Sequence, residues 1–207
     1  MKRIAVFVSG GGSNLQSLIN ACKKGEINGK IVAVISSKQS AYALKRAKRA
    51  DIAGYVYEKS KYPDTESMFG DISRLLNTLK IDLIVLAGYM LVLSPNIIKQ
   101  YENRIINIHP SLIPAFCGKG FYGLRVHQAV LDYGCKVTGA TVHFVDEGTD
   151  TGAIILQKVV AVKENDTPEI LQKRVLKTEH RLLPIAVKLY CNDCIKVKDR
   201  ITHIKEK

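Results

Sequence analysis

Two side chains that could move a proton and hold a developing negative charge stand two residues apart at the end of an apolar run. Asn107 and His109 follow Ile105 and Ile106, and Pro110 comes directly after them. A β-branched run indicates a buried strand, and proline ends it because proline has no backbone N–H to donate. Side chains two apart on a strand leave the same face. The pair therefore predicts a site where an imidazole transfers protons and an amide N–H stabilises an oxyanion.

The glycine loop, which we define as residues 9–14 (Ser-Gly-Gly-Gly-Ser-Asn), is a second candidate site. It follows an apolar run that begins at Arg3 and precedes apolar residues at helical spacing. Glycines let backbone N–H groups approach a ligand and the helix N-terminus adds positive charge, so the loop predicts an anion site. We expect Ser13 and Asn14 to cap the helix and bind phosphate oxygens. Leu15 replaces the third glycine of the dinucleotide-binding fingerprint, and the lysine of a P-loop is missing. The loop therefore favours a phosphate monoester as its ligand, and a turn without a ligand is the alternative.

The elements that must hold these residues alternate between strands and helices. The first half of the chain predicts strands at 3–9, 31–35, 55–57, 83–87 and 105–108, with helices after the glycine loop, at 42–50, at 69–79 and from Pro95. The second half predicts a helix at 126–133, strands at 138–145 and 154–162, and a long helix capped by Thr167. This alternation predicts an α/β fold: a doubly wound, mostly parallel sheet with helices on both faces.

Composition indicates the class of protein. The 207 residues are 46% hydrophobic and 24% charged, which predicts one globular domain. We expect this domain to span residues 1–190, with a basic tail over residues 191–207. The longest apolar stretch, 83–93, is shorter than the roughly 18 residues of a membrane span, so we expect no membrane partner. No export signal follows the first methionine, and five cysteines are an odd number for a disulfide framework. We therefore expect reduced thiols and a cytoplasmic location.

Two clusters raise the question of other ligands. The net charge is +12, and four basic residues lie close together on one predicted helix: Lys45, Arg46, Lys48 and Arg49. Because no nucleic-acid-binding motif accompanies them, we interpret them as a solvated basic face that attracts phosphorylated substrates, and we expect no nucleic-acid partner. Cys191 and Cys194 have C-x-x-C spacing without a second ligand pair, which favours a solvent-side turn over a zinc site.

Three motifs in order carry a family resemblance. They are the glycine loop, residues 107–114 (Asn-Ile-His-Pro-Ser-Leu-Ile-Pro) and residues 142–152 (Val-His-Phe-Val-Asp-Glu-Gly-Thr-Asp-Thr-Gly). Together they resemble the folate-dependent formyltransferases, and the likeness extends from Lys2 to about Leu189. The resemblance implies a Rossmann-like fold and transfer of a formyl group from 10-formyltetrahydrofolate to the amine of glycinamide ribonucleotide in de novo purine biosynthesis, with no metal.

The resemblance also implies residue roles. The catalytic residues would be Asn107, His109 and Asp150. Those that hold the ribonucleotide would be Gly11, Gly12, Ser13, Asn14 and Glu179. The folate pocket would be lined by Met90, Leu91, Val92, Leu93 and Asn107. Asp150 is expected to oppose the imidazole with a carboxylate and so to raise the pKa of His109 above its ordinary value. The family often has arginine where this chain has Leu91, and some members have arginine near Thr65, so the contacts to the folate tail are open.

Two other functions stay open at this point. A formyltetrahydrofolate deformylase would hydrolyse the same donor, but that class resembles this core with an N-terminal regulatory domain, whereas here the first strand begins at Arg3. A non-enzymatic phosphate-ligand-binding domain would not need all three catalytic residues. Small molecules are the expected partners, and the chain is expected to be a monomer or homodimer. The role of the segment 117–125 is open.

Overall fold

The computed structural model describes residues 1–205. The chain forms two compact units, the first over Met1–Ile106 and the second from Asn107 onwards. Strands and helices alternate through the first unit and into the start of the second. No helix within residues 1–205 is long and apolar enough to cross a bilayer.

The first unit is built on parallel strands. Its elements are β1 (Lys2–Val8), α1 (Ser13–Lys23), β2 (Gly29–Ser36), α2 (Tyr42–Arg49), β3 (Ala53–Val56), α3 (Thr65–Thr78), β4 (Leu83–Leu86) and α4 (Pro95–Gln100). The strand order is β3-β2-β1-β4, in which β1 pairs in parallel with β2 and β4, and β2 pairs in parallel with β3. The last five residues of β1 are fully buried, as expected for a central parallel strand whose two faces are both covered.

Strand β5 (Ile105–His109) begins in the first unit and ends in the second. At its start, the Ile84 N–H of β4 donates to the Arg104 carbonyl at 2.9 Å. Its buried residues include Ile105, Ile106 and Ile108, so the β-branched run forms the strand that the sequence predicts.

The second unit mixes strand directions. Its further elements are α5 (Leu124–Asp132), β6 (Val137–Phe144), β7 (Ile154–Ala161), α6 (Pro168–Cys191), β8 (Ile195–Lys198) and β9 (Ile201–Ile204). The order is β5-β6-β7-β9-β8, in which β6 and β7 pair antiparallel, β7 and β9 pair in parallel at Ile154, and β8 and β9 form an antiparallel hairpin. The fold class predicted from the alternation, α/β with mostly parallel strands and intervening helices, is confirmed.

Two local predictions at helix ends have different outcomes. Thr167 caps α6, because its side chain accepts from the Ile170 N–H, and Pro168 is the first helical residue, as predicted. At α1 the prediction was wrong. Gly12, not Ser13 or Asn14, is the N-cap, and no side chain makes a capping bond there. The backbone of Gly12 is left-handed, with φ +70°, and this leaves Ser13 as the first residue of the helix.

The C-terminal residues differ from the expectation of a solvent-side turn. Cys191 and Cys194 are both buried, at 2% and 5% exposure, because the chain turns after α6 into the β8–β9 hairpin. The five cysteines, all within residues 1–205, are free. Within residues 1–205, no three His, Cys, Asp or Glu side chains are placed to hold a metal ion.

Candidate active site

The end of β5 presents the amide and imidazole as the sequence predicts. Asn107 is half-buried and His109 is 4% exposed, while Ile108 between them is buried. The alternation of a strand sends the side chains of Asn107 and His109 to one face and that of Ile108 to the other. The imidazole Nε2 lies 2.9 Å from the carbonyl of Phe116, which accepts a hydrogen bond from it.

Asp150 joins these two residues from the connection between β6 and β7. One carboxylate oxygen, Oδ2, lies 3.4 Å from Nδ1 of His109, and the other, Oδ1, accepts from the Asn107 side-chain N–H at 3.4 Å. The Asp150 backbone is left-handed, with φ +58°, and its side chain is only 11% exposed. The structure thus brings together the three residues that were predicted to be catalytic.

Two backbone groups that the sequence does not single out complete this cluster. The Gly118 N–H donates to Asp150 Oδ2 at 2.9 Å, and the Phe116 carbonyl accepts from His109. Phe116 has a left-handed backbone, with φ +51°, and its ring makes edge contacts with Phe121 and Tyr133. The segment 117–125, whose role was open, therefore supplies one hydrogen-bond partner to the catalytic cluster through Gly118, and Phe116 directly before it supplies another.

A fourth side chain, His143 on β6, was also missed. It is 1% exposed, and its Nε2 lies 3.1 Å from Nδ2 of Asn107 and 3.6 Å from Oδ1 of Asp150. Its Nδ1 donates to the Phe144 carbonyl at 2.7 Å. In sequence His143 stands in an apolar strand, where a lone histidine is usually structural, and the third motif contains it without assigning it a role.

Burial and charge act in opposite directions on the pKa values here. Burial lowers the pKa of His109, and the Asp150 carboxylate and the Phe116 carbonyl oppose this without reversing it. The expectation that Asp150 raises this pKa above the ordinary value was therefore wrong, because desolvation of the imidazolium outweighs the carboxylate. Burial also tends to raise the pKa of Asp150, but the adjacent His143 ring, the His109 charge and the hydrogen bond from the Gly118 N–H bring it below its usual range.

The glycine loop combines tight packing with open space. A Cβ added at Gly12 would lie 2.6 Å from Cβ and 2.9 Å from Cα of Ala43, so this glycine is needed for the approach of α2 as well as for its positive φ. A Cβ added at Gly10 or Gly11 would have no atom within 4 Å. The open side of the loop is therefore at Gly10 and Gly11, and Ser13 and Asn14 follow at the start of α1.

Arg46 on α2 holds the loop from one side. Its Nε donates to the Gly11 carbonyl at 2.8 Å, and its Nη1 donates to the Gln16 side-chain carbonyl at 3.1 Å. The guanidinium also lies over the Tyr42 ring at 5.0 Å. Sequence reasoning grouped Arg46 with the solvated basic residues of this helix, and composition alone gives no means of separating it from them.

The residues expected to meet folate have unequal exposure. Met90 and Val92 are exposed, at 48% and 74%, whereas Leu91 is half-buried and Leu93 is buried. The Met90 N–H donates to the Ser9 hydroxyl at 2.9 Å, which joins this turn to the start of the glycine loop.

Glu179, expected to meet the ribose, lies on α6 in the second unit and is 7% exposed. A carboxylate this buried is uncommon without a partner, and Glu179 makes a polar interaction of its own. Its position on the helix face turned toward the unit interior was not evident from the sequence.

The chain has close relatives among known proteins. A family model described as formyl transferase matches residues 2–187. The phosphoribosylglycinamide formyltransferase of Haemophilus influenzae is 39% identical over 207 residues, which cover 100% of this chain and 95% of that protein. The chloroplastic phosphoribosylglycinamide formyltransferase of Arabidopsis thaliana is 40% identical over 199 residues, which cover 96% of this chain and 68% of that protein. The crystal structure of glycinamide ribonucleotide transformylase 1 from Symbiobacterium toebii matches with a TM-score of 0.95 and 40% identity, covering 100% of this chain and 95% of that chain.

Proposed function

We propose, from the membership of this chain in the formyl transferase family, that it catalyses one specific formyl transfer. The protein transfers the formyl group of 10-formyltetrahydrofolate to the amine of glycinamide ribonucleotide, which is a step of de novo purine biosynthesis. The observation that carries this proposal within the fold is the cluster of Asn107, His109 and Asp150, with contacts of 3.4 Å between the carboxylate and each of the other two side chains. An imidazole, an amide and a carboxylate in contact are the groups that acyl transfer to an amine requires.

The chemistry begins with the attack of the ribonucleotide amine on the formyl carbon. A C–N bond forms, the carbonyl oxygen becomes an oxyanion, and the amine nitrogen carries an extra proton. Collapse of this tetrahedral intermediate breaks the bond between the formyl carbon and the folate nitrogen, which receives a proton as it leaves. The products are the formylated ribonucleotide and tetrahydrofolate.

His109 moves the proton between these two nitrogens. Because burial lowers its pKa, the ring starts neutral and acts first as a base toward the amine. Asp150 lies beside Nδ1 and the Phe116 carbonyl lies beside Nε2, so the doubly protonated ring has an oxygen acceptor at each nitrogen. The charged ring is thus favoured once it forms, and it then donates to the departing folate nitrogen directly or through water.

Asn107 stabilises the oxyanion. Its amide nitrogen is 3.4 Å from Asp150, a long and therefore weak contact, so that N–H remains able to donate to the developing negative charge. Loss of one such donor typically costs about 10²–10³ in kcat.

Substrate binding is assigned to the remaining predicted residues. Gly11, Gly12, Ser13 and Asn14 hold the phosphate, through backbone N–H groups at the open side of the loop and at the start of α1. Glu179 accepts from the ribose hydroxyls. The exposed side chains of Met90 and Val92, with the half-buried Leu91, contact folate, and Leu93 supports them from the core.

The setting of the reaction is part of the proposal. Five free thiols suit a reducing compartment, so we place the reaction in the cytoplasm. Small molecules are its partners, and the chain acts as a monomer or a homodimer.

An assay that separates transfer from hydrolysis tests the proposal. Purified protein is incubated with 10-formyltetrahydrofolate, with and without glycinamide ribonucleotide, and formylated product and free formate are measured by mass spectrometry. We expect formylated product only when both substrates are present, and a rate lower by about 10²–10³-fold in Asn107→Ala. Formate release without the ribonucleotide would instead identify a deformylase. Binding of the ribonucleotide by calorimetry with neither product would identify a phosphate-ligand-binding protein.

A further inference from the structure

We propose that His143 is a positioning residue: it fixes the side-chain amide of Asn107 with its N–H groups, not its carbonyl oxygen, toward Asp150. This inference deepens the proposed function and rests on it. His143 is outside the set of residues that the resemblance assigns, and it is almost fully buried on β6, next to the strand that carries Asn107.

The neighbours of the ring decide its tautomer. Nδ1 lies 2.7 Å from the Phe144 carbonyl, and a carbonyl oxygen only accepts hydrogen bonds, so the proton of the neutral ring is on Nδ1. Nε2 then has a free lone pair and requires a donor. Its neighbour at 3.1 Å is the amide nitrogen of Asn107, which supplies one.

This contact makes one amide orientation of Asn107 much more favourable than the other. As observed, one N–H points to Nε2 of His143 and the other lies toward Asp150 at 3.4 Å. After a half-turn of the amide, the carbonyl oxygen would face a ring lone pair and a carboxylate oxygen, which are both acceptors. His143 therefore keeps the amide in the orientation that leaves an N–H available for the oxyanion.

His143 also contacts the carboxylate of the catalytic cluster. Its Nε2 lies 3.6 Å from Asp150 Oδ1, on the side opposite to the contact between Oδ2 and His109. The ring thus borders the carboxylate and the amide at once, and it is held by its own bond to the backbone of β6. A fixed group of this kind orients the residues that touch substrate, as outer-shell partners do for metal ligands.

Two substitutions separate positioning from packing. His143→Leu keeps an apolar side chain of similar size and removes the acceptor, whereas His143→Gln restores an acceptor oxygen near the place of Nε2. We expect kcat to fall by about 10–100-fold in His143→Leu, less than for complete loss of an oxyanion donor. KM for both substrates should stay within about twofold, and His143→Gln should recover most of the loss. Thr138→Val is the matched control, because Thr138 is buried on the same strand and its hydroxyl has no hydrogen-bond partner.

A double-variant cycle tests whether the effect passes through Asn107. In an Asn107→Ala background, His143→Leu should change kcat by less than about threefold, because the amide it orients is gone. A full 10–100-fold further loss there would overturn the proposal, and so would equal activity of His143→Leu and wild type.

A measurement without turnover keeps this inference distinct from the proposed reaction. In protein labelled with ¹⁵N-histidine, long-range ¹H–¹⁵N correlation should show the His143 ring proton on Nδ1, and the Nε2 resonance should shift in Asn107→Ala. A proton on Nε2, or an unchanged Nε2 resonance in that variant, would overturn the positioning role even if formyl transfer is observed. Absence of transfer in wild type would overturn the proposed function, and the tautomer would still decide the contact.

Discussion

Removal of the buried histidine of α5 should make the protein more resistant to acid. His127 is 1% exposed, and its Nδ1 has no hydrogen-bond partner. Burial, with a smaller contribution from the charge on His109, lowers the pKa of His127 from 6.5 to about 4. Between these two pH values the unfolded chain binds a proton at this residue and the folded chain does not. The contribution of neutral His127 to the free energy of unfolding is therefore fully present above about pH 6.5 and is lost as the pH falls toward 4.

The size of the effect follows from the shift. Each unit of pKa difference corresponds to about 1.4 kcal/mol, so the change from 6.5 to about 4 gives about 3 kcal/mol when the loss is complete. At pH 5 the unfolded histidine is almost fully protonated and the folded one is not, which leaves a loss of about 2 kcal/mol. In His127→Leu this loss should be absent, while stability near pH 7.5 should change little, because the buried Nδ1 made no hydrogen bond.

Urea unfolding at pH 7.5 and pH 5.0 measures this difference. Between pH 7.5 and pH 5.0 the free energy of unfolding should fall by about 2 kcal/mol more in the wild type than in His127→Leu. The other titrating groups are present in both proteins, so their contributions cancel. His203→Asn is the control, because it removes an exposed histidine of β9 and leaves the interior of the protein unchanged. Parallel loss of stability in wild type and His127→Leu would refute the reasoning.

Three further predictions concern the proposed reaction. Asp150→Asn should lower kcat by about 10²–10⁴-fold. The acid limb of the pH profile should also move to lower pH, because the variant lacks the carboxylate that raises the pKa of His109. Steady-state and single-turnover rates measure both effects. Arg46→Gln should raise KM for the ribonucleotide by about 2–12-fold, equivalent to one net hydrogen bond, with kcat little changed, because it releases the Gly11 carbonyl. Gly11→Ala should fold normally, since its Cβ meets no atom within 4 Å. It should raise KM for the ribonucleotide at least about tenfold, because the added methyl group occupies the open side of the loop. Calorimetry and initial rates measure the effects of Arg46→Gln and Gly11→Ala.

Matched variants sharpen these tests. Glu147→Gln, in the same turn as Asp150 but exposed, should retain activity, and near-normal single-turnover chemistry in Asp150→Asn would contradict the assigned role. Arg49→Gln removes an exposed charge from the same helix, so an equal rise in KM for both arginine variants would indicate long-range attraction instead of a contact with the loop. Unchanged KM in folded Gly11→Ala would remove the phosphate from this loop.

The ends of β1 and β5 were predictable because short-range chemistry determines them. A β-branched run followed by proline, and an apolar run followed by three glycines, restrict the backbone without help from distant residues. The approach of Asp150 to His109 was different. An acidic turn has no local signal for its partner, and only the family resemblance indicated this contact.

The errors have physical causes as well. The sign of the His109 pKa shift depends on burial against charge, and sequence shows the carboxylate but not the depth of the ring. The contributions of Phe116 and Gly118 come from backbone groups, which every residue has, so their type and spacing carry no signal. The Gly12 cap was missed because Ser13 is a good capping residue, and the close packing on Ala43 placed the turn one residue earlier.

The terminal hairpin was within reach of sequence reasoning. Residues 195–198 alternate apolar and polar side chains, residues 201–204 begin and end with isoleucine, and two residues, Asp199 and Arg200, separate the two runs. A two-residue connection between short runs rich in β-branched residues is a hairpin signal, and Asp199 adopts the positive φ, 54°, that such turns require. The abundance of lysine led instead to the interpretation as a basic tail.

That hairpin also affects whether strands of other protein molecules can pair with the sheet of the second unit. β8 is the outermost strand of its strand order, so one row of its backbone groups is available to any strand that approaches. Lys196 and Lys198 are exposed along this margin and alternate with the half-buried Ile195 and Val197. Two like charges at this spacing repel a second copy of the same margin, which would otherwise extend the ladder from molecule to molecule. Lys196 and Lys198, which the sequence placed in a basic tail, thus oppose aggregation through this strand edge.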